Sequence, residues 1–280
     1  MNKQQTEEMK LQIGVMAPLP EGPDEALRKV HELGLPTCQV ACWQQEHFTD
    51  ETAQRLVAAS AAYDVTPTTI WTGYPGPSVW NFLEGPTTIG LVPETYRVER
   101  VAALKAGADF AVKVGVPSIT THVGFIPESP SNPLYAGVLR ALDEVVGYCK
   151  KLDIGFWFET GQETPTTLLR VIEDLGYDNV GVNLDPANLL MYGRANPVDA
   201  LDVIGRYVRG VHAKDGEYPT NGRELGVEKP LGEGRVNFPV LIPKLKSLGF
   251  TGALTIEREI SGPRQIADIE RAIRVLEELA

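Results

Sequence analysis

Short apolar, β-rich runs alternate with amphipathic stretches eight times along this sequence. The β-rich runs begin near Leu11, Thr37, Thr66, Ser118, Gly155, Asn179, Arg209 and Ala253. Between them, apolar residues recur three and four apart, which is the spacing of one helical face. In Pro23 to Leu33 these are Ala26, Leu27, Val30 and Leu33. Thr49 to Tyr63, Arg97 to Val114, Leu134 to Leu152, Pro165 to Leu175, Pro197 to Val208, Phe238 to Leu248 and Pro263 to Leu279 repeat the signature. Asp50, Thr164 and Asn196 sit where N-caps belong, with Pro165 and Pro197 as first-turn prolines. Gly34, Gly115, Gly176 and Gly249 follow the apolar stripes, as residues just past a helix end do. Eight strands, each followed by a helix, is the count of a (β/α)8 barrel. The 280 residues give each unit about 35.

A doubly wound open sheet is the rival architecture, and it calls for a glycine-rich turn after the first strand. Here that strand runs into Ala17-Pro18-Leu19-Pro20-Glu21-Gly22-Pro23, without a G-x-G-x-x-G. There is no Walker-A lysine loop either. The expectation is therefore one barrel domain over residues 11–280. The polar segment over residues 1–10 reads as a disordered lead-in, with no apolar core of a signal peptide.

Composition narrows the function. Against 37 acidic residues stand 26 Lys and Arg, a formal net charge of −11. That balance disfavours nucleic acid as a partner, because phosphate binding draws on excess Lys and Arg. No apolar run reaches the ~18 residues of a membrane span. The three cysteines, Cys38, Cys42 and Cys149, form no disulfide framework, and a cytoplasmic setting fits them.

Two connections are too long to be plain links. Tyr74 to Pro93 follows the third strand and Glu217 to Arg235 follows the seventh, both on the carboxyl side where barrel active sites lie. Trp80 and Phe82 in the first of them either pack the loop onto the rim or wall a pocket.

The strongest chemical signal lies at the ends of the late strands. Glu159, Asp185, His212 and Glu257 each interrupt an otherwise apolar run on strands five to eight. Alternation places them on the faces of Trp157, Asn183, Lys214 and Thr255, opposite Phe156 and Phe158, Val182 and Leu184, Val211 and Ala213, and Leu254 and Ile256. The apolar faces suit the layer between strands and helices, so the polar set points into the barrel mouth. Converging carboxylates repel one another, and a bound divalent cation relieves that repulsion. An oxygen-rich set with one nitrogen favours Mn²⁺, Mg²⁺ or Co²⁺ over a thiolate-type zinc site.

With these residues in view, the sequence resembles the sugar phosphate isomerase/epimerase superfamily of xylose isomerase-like barrels, from Leu11 to Leu279. The resemblance is carried by Phe158-Glu159-Thr160-Gly161, Asn183-Leu184-Asp185-Pro186-Ala187-Asn188, Val211-His212-Ala213-Lys214-Asp215, Leu231-Gly232-Glu233-Gly234 and Thr255-Ile256-Glu257. Ketose 3-epimerases, hydroxypyruvate isomerases and inosose dehydratases are similar at these points. The resemblance implies one divalent metal ion, Mn²⁺ in the first place and Mg²⁺, Co²⁺ or Zn²⁺ otherwise, held by Glu159, Asp185, His212 and Glu257. It also implies that Glu159 and Glu257 exchange a substrate proton through an enediolate. The expected substrate is a ketose or related carbonyl sugar, and a homodimer or homotetramer is implied.

One position departs from the epimerase pattern. Three residues after the metal aspartate, where those enzymes often carry a histidine, stands Asn188, which bonds a hydroxyl but cannot become charged near neutral pH. A keto-sugar or keto-inositol dehydratase is therefore the second expectation. A sugar-binding barrel without turnover and an endonuclease IV-like phosphodiesterase are the remote ones. Four histidines, His31, His47, His122 and His212, with His31 on the first helix, are too few for a trinuclear zinc site. His122, Asn188, Lys214, Arg235, Trp43, Trp71 and Trp80 are the candidate substrate contacts. Six of them have a plain structural alternative: a barrel hydrogen bond for His122, a salt bridge to Glu233 or Asp185 for Lys214, loop ordering for Arg235, core packing for Trp43 and Trp71, and rim packing for Trp80. His47 reads as a solvated loop residue.

Overall fold

The computed structural model describes residues 10–280. The lead-in expected over residues 1–10 lies outside the described residues except for Lys10. Eight parallel strands close into a barrel: β1 Ile13–Pro18, β2 Thr37–Cys42, β3 Thr66–Thr72, β4 Ser118–Thr121, β5 Gly155–Glu159, β6 Val180–Leu184, β7 Val208–Ala213 and β8 Leu254–Ile256. Each strand pairs with its neighbours in sequence, and β8 closes the ring by pairing Leu254 with Ile13. The helices are α1 Pro23–Glu32, α2 Asp50–Tyr63, α3 Glu94–Val114, α4 Pro133–Lys151, α5 Pro165–Leu175, α6 Pro197–Ile204, α7 Phe238–Ser247 and α8 Pro263–Leu279.

Local chemistry sets the ends of these elements. Thr164 and Asn196 cap α5 and α6 through side-chain oxygens that accept backbone N–H bonds. Gly115 and Gly176 take left-handed conformations, at φ 80° and 65°, just beyond α3 and α5. At α2 the cap is Thr49, whose hydroxyl accepts from the Thr52 amide, and Asp50 becomes the first helical residue. A carboxylate there still favours the positive end of the helix. The sixth helix stops at Ile204 rather than Val208, because Gly205–Tyr207 tightens into a 3-10 turn before β7.

Each of α1 to α8 contributes a leucine to one continuous core: Leu27, Leu56, Leu104, Leu142, Leu168, Leu201, Leu241 and Leu276 are all buried. They share it with Phe156, Phe158, Val182, Leu184, Val211 and Leu254 from the strands. This layer fixes which strand faces remain for the barrel interior. Among the described residues no helix is long and apolar enough to cross a membrane.

Both long loops carry structure. The loop after β3 contains a one-turn helix, Gly85–Thr88. It is anchored by Arg100 of α3, whose side chain is fully buried. That guanidinium donates to the carbonyls of Pro75, Gly90 and Pro77 at 3.0, 2.6 and 2.8 Å and stacks against Tyr74 and Tyr96. The loop after β7 is tied by Asp215, whose carboxylate accepts the amides of Gly232, Gly234 and Val236 at 2.9, 3.1 and 3.1 Å. Asp215–Gly216 also pairs antiparallel with Glu228–Lys229.

Candidate metal centre and pocket

Strand register brings the four polar interruptions together. Asn183 of β6 pairs with Glu159 of β5, and His212 of β7 with Thr255 of β8. Asp185 and Glu257 then emerge one residue beyond the ends of β6 and β8. One ligand atom from each of Glu159, Asp185, His212 and Glu257 lies within 4.8 Å of the other three.

The donor set fits a cation. His212 is fully buried, and its Nδ1 lies 3.0 Å from Glu159 Oε1, 3.2 Å from Glu257 Oε2 and 3.8 Å from Asp185 Oδ2. None of these contacts has hydrogen-bond geometry, and Asp185 Oδ2 accepts no hydrogen bond either, with Lys214 Nζ 3.5 Å away. Buried polar atoms without partners are uncommon and require an explanation. Three carboxylate oxygens and one imidazole nitrogen are a donor set that could hold a divalent ion, which would supply one. The two oxygens of Asp185 have separate work, since Oδ1 accepts the Asn188 amide at 2.8 Å and caps the short helix Pro186–Met191.

Lys214 partly balances the carboxylates. Its Nζ lies 2.9 Å from Glu259, 3.2 Å from Glu257 and 3.5 Å from Asp185. Burial opposes its charge, but Glu257, Glu259 and Asp185 outweigh burial and hold its pKa well above the ordinary value. Burial would likewise raise Glu257, and the charges of Lys214 and His212 reverse that and hold its carboxyl below the usual range. Glu159 is also held low, against burial, by His122 and His212. The His212 imidazolium is favoured in turn by Glu257 and Glu159 despite its burial.

Above the four residues opens a cavity of about 410 Å³, walled by Trp43, Trp71, Trp80, Tyr192, Met191 and Leu225. His122, Glu159, Asn188, Glu257 and Glu259 are its polar lining. The aromatic wall is continuous: Trp43 lies 4.9 Å from Trp71 and 6.1 Å from Trp80, and Trp80 lies 5.1 Å from His122. Trp71 Nε1 donates to Glu159 Oε2, and His122 Nε2 is 3.3 Å from Glu159 Oε1. Phe82 packs edge-on against Tyr192. A shallower groove of about 510 Å³, lined by Arg140, Asp143, Glu144 and Asp174, lies on the outer helices and gathers no such set.

Six of the seven expected substrate contacts are therefore at or beside the cavity. Lys214 is the sixth, but it lies beneath the lining as a counter-ion, with Asn188 Oδ1 a further 3.4 Å neighbour. Arg235 is placed elsewhere. It is exposed, outside the cavity lining, and its backbone amide bonds the Gly216 carbonyl, so it belongs to the loop after β7. Glu233 pairs with Arg271 instead of Lys214. His31 bonds the Tyr63 carbonyl, and His47 lies in a 3-10 turn after β2.

Glu163 was not singled out by sequence. It is buried in the loop after β5, and its Oε2 has no partner. Burial pushes its carboxyl up to about 8, with backbone amides and Arg194 offsetting only part of the effect. A raised folded-state value means the native protein holds a proton the unfolded chain releases above about 4.5. This contribution is full below that pH and is lost as pH rises toward 8. Each unit of difference is worth about 1.4 kcal/mol. Glu163→Gln is therefore expected to flatten the fall in melting temperature between pH 5 and 8.5. Parallel profiles for the variant and the wild type would contradict the assignment.

Comparison with known proteins places the chain. Residues 27–279 match the family model described as the xylose isomerase-like TIM barrel, and the chain belongs to that family. It is similar to a xylose isomerase domain protein from Planctomyces limnophilus, 36% identical, with a TM-score of 0.91 over 96% of this chain and 97% of that one. A D-tagatose 3-epimerase-like protein is 19% identical, with a TM-score of 0.73 over 96% and 99% of the two chains, and shares the fold. The uncharacterized protein MJ1311 of Methanocaldococcus jannaschii is 24% identical over 97% of this chain and 89% of its own length.

Proposed function

We propose that this barrel is a divalent-metal-dependent isomerase or epimerase of a neutral carbonyl sugar. The observation that carries the reading is the convergence of Glu159 and Glu257 with Asp185 and His212 under an aromatic cavity. A binder has no need of two glutamates at the same point, whereas proton transfer does. A divalent cation held by these four residues, Mn²⁺ in the first place, would polarise neighbouring carbonyl and hydroxyl oxygens and acidify the C–H between them.

The chain's own residues then divide the proton work. One of Glu159 and Glu257 removes the proton as general base, and the other returns it as general acid. Return to the same carbon from the opposite side gives an epimer, and return to the adjacent carbon gives an isomer. Trp71 and His122 orient Glu159, and Lys214 orients Glu257. The tryptophans supply faces for the C–H side of a sugar, and Asn188 meets a hydroxyl.

Charge favours a neutral substrate. Lys214 is already engaged by three carboxylates, and Glu257 and Glu259 line the cavity, so a phosphate there meets negative charge. The likeness to an epimerase-like protein agrees with the reading. A keto-sugar dehydratase starts with the same proton abstraction and then expels a β-hydroxyl, and Asn188 keeps that second reading. Incubating ketoses and 3-keto sugars with the Mn²⁺-treated protein in D₂O separates the two. Deuterium in a recovered epimer or isomer is the expected result. An absorbing enone would give the reaction to the dehydratase, and absence of exchange from every carbonyl sugar tried would sink both.

A further inference from the structure

Below the candidate ligands, the barrel interior holds two buried amides. Gln39 projects from β2 and is 1% exposed, and Asn183 projects from β6 and is fully buried. Apolar side chains would fill this space without the desolvation cost of an amide, so the pair needs a reason. Both ends of Gln39 are used. Its Nε2 donates to Asn183 Oδ1 at 2.9 Å, and its Oε1 lies 2.9 Å from His212 Nε2.

This arrangement has a direction. The amide nitrogen of Gln39 is committed to Asn183, so the amide oxygen faces His212. With the amide in that orientation its oxygen accepts, which assigns the hydrogen to His212 Nε2. In the neutral ring, Nδ1 then keeps its lone pair. Nδ1 is the atom that faces Glu159, Asp185 and Glu257. The backbone makes room for the pair at Gly210. A Cβ there would stand 2.5 Å from Asn183 Oδ1 and 3.3 Å from Gln39 Nε2.

We propose that Gln39 is a positioning residue of the metal centre: backed by Asn183 and given space by Gly210, it holds His212 as the Nε2–H tautomer with Nδ1 presented to the cation. The inference rests on reading Glu159, Asp185, His212 and Glu257 as metal ligands. Groups that fix a ligating histidine in this way typically contribute about 10–100-fold to metal affinity. Strands β2, β6 and β7 are all required, so the device exists only once the barrel is closed.

Calorimetric titration with Mn²⁺, and the His212 Nε2–H resonance in the Zn²⁺-loaded protein, test it together. Gln39→Leu removes the acceptor, and about 10–100-fold weaker Mn²⁺ binding is expected. The Nε2–H signal should also lose its protection from exchange. Gln39→Glu keeps an acceptor, and Asn183 Nδ2, which has no partner, can turn to donate to it. Binding and the protected signal should return in that variant, which a merely space-filling role does not predict. If Gln39→Leu does not fold, Gly210→Ala displaces the Asn183 oxygen and should weaken binding in the same direction. Unchanged affinity in both Gln39→Leu and Gly210→Ala would overturn the inference. Equal losses in the Leu and Glu variants would do the same. If Asp185→Ala loses Mn²⁺ while Gln39→Leu does not, only this inference falls. If the wild type binds no Mn²⁺, the ligand reading falls with it.

Discussion

Asp185→Ala is expected to weaken Mn²⁺ binding by more than about 100-fold, exceeding the effect of any residue that acts behind a ligand. The two oxygens of this carboxylate are unequal. Oδ2 is buried and accepts no hydrogen bond, while Oδ1 caps the short helix Pro186–Met191 by accepting the Asn188 amide. Alanine removes both functions and should also cost about 1 kcal/mol of stability through the lost cap. Asp185→Asn separates them. An Asn at this position can still cap the helix, but it offers the cation no negative charge. Its melting temperature should stay near the wild-type value while its affinity falls with that of the alanine variant. Calorimetry with Mn²⁺, alongside thermal melts, checks both halves. Equal affinity in wild type and Asp185→Ala would refute the ligand assignment.

The second large effect concerns the two glutamates. Glu159→Gln and Glu257→Gln should each slow product formation about 10²–10⁴-fold at saturating Mn²⁺, the usual contribution of a positioned general acid or base. An epimerase with one glutamate for each epimer makes a sharper prediction. Each variant should retain slow deuterium wash-in from one epimer only, and the two variants should retain opposite ones. The environments of the pair already differ. Glu159 is held by Trp71 and His122, whereas Glu257 is held by Lys214. Identical residual exchange in both variants would argue that the glutamates act as ligands alone. Mass spectrometry of recovered sugar measures this directly.

Much of the barrel was legible because each β–α unit announces itself locally. Apolar runs, first-turn prolines and glycines past helix ends all reflect interactions within a few residues. The discrepancies are local as well. Thr49 rather than Asp50 caps α2, and the short helices Gly85–Thr88 and Pro186–Met191 were not foreseen. The second left a signal in Asp185-Pro186, which is an N-cap followed by a first-turn proline.

The ligand set was legible because a charged side chain at the end of an apolar strand is conspicuous. Its surroundings were not. Gln39 sits in the strand Thr37–Cys42, yet nothing near it in sequence says that it meets His212, 173 positions away. That contact comes from closing β1 against β8, not from local periodicity. Arg100 presents the same difficulty, since it looks like a solvated helix charge until the loop after β3 folds over it. The sequence makes Lys214 a candidate substrate contact, with a salt bridge to Asp185 or Glu233 as the alternative. The structure gives it Asp185, Glu257 and Glu259, while Glu233 is taken by Arg271.

The proposed function requires one divalent cation among four side chains from successive strands. Anomalous diffraction from crystals soaked in Mn²⁺ tests it most directly. A single strong peak is expected, bounded by Glu159, Asp185, Glu257 and the Nδ1 atom of His212, on the floor of the aromatic cavity. A peak elsewhere, or no peak at that point with the crystals intact, would contradict it.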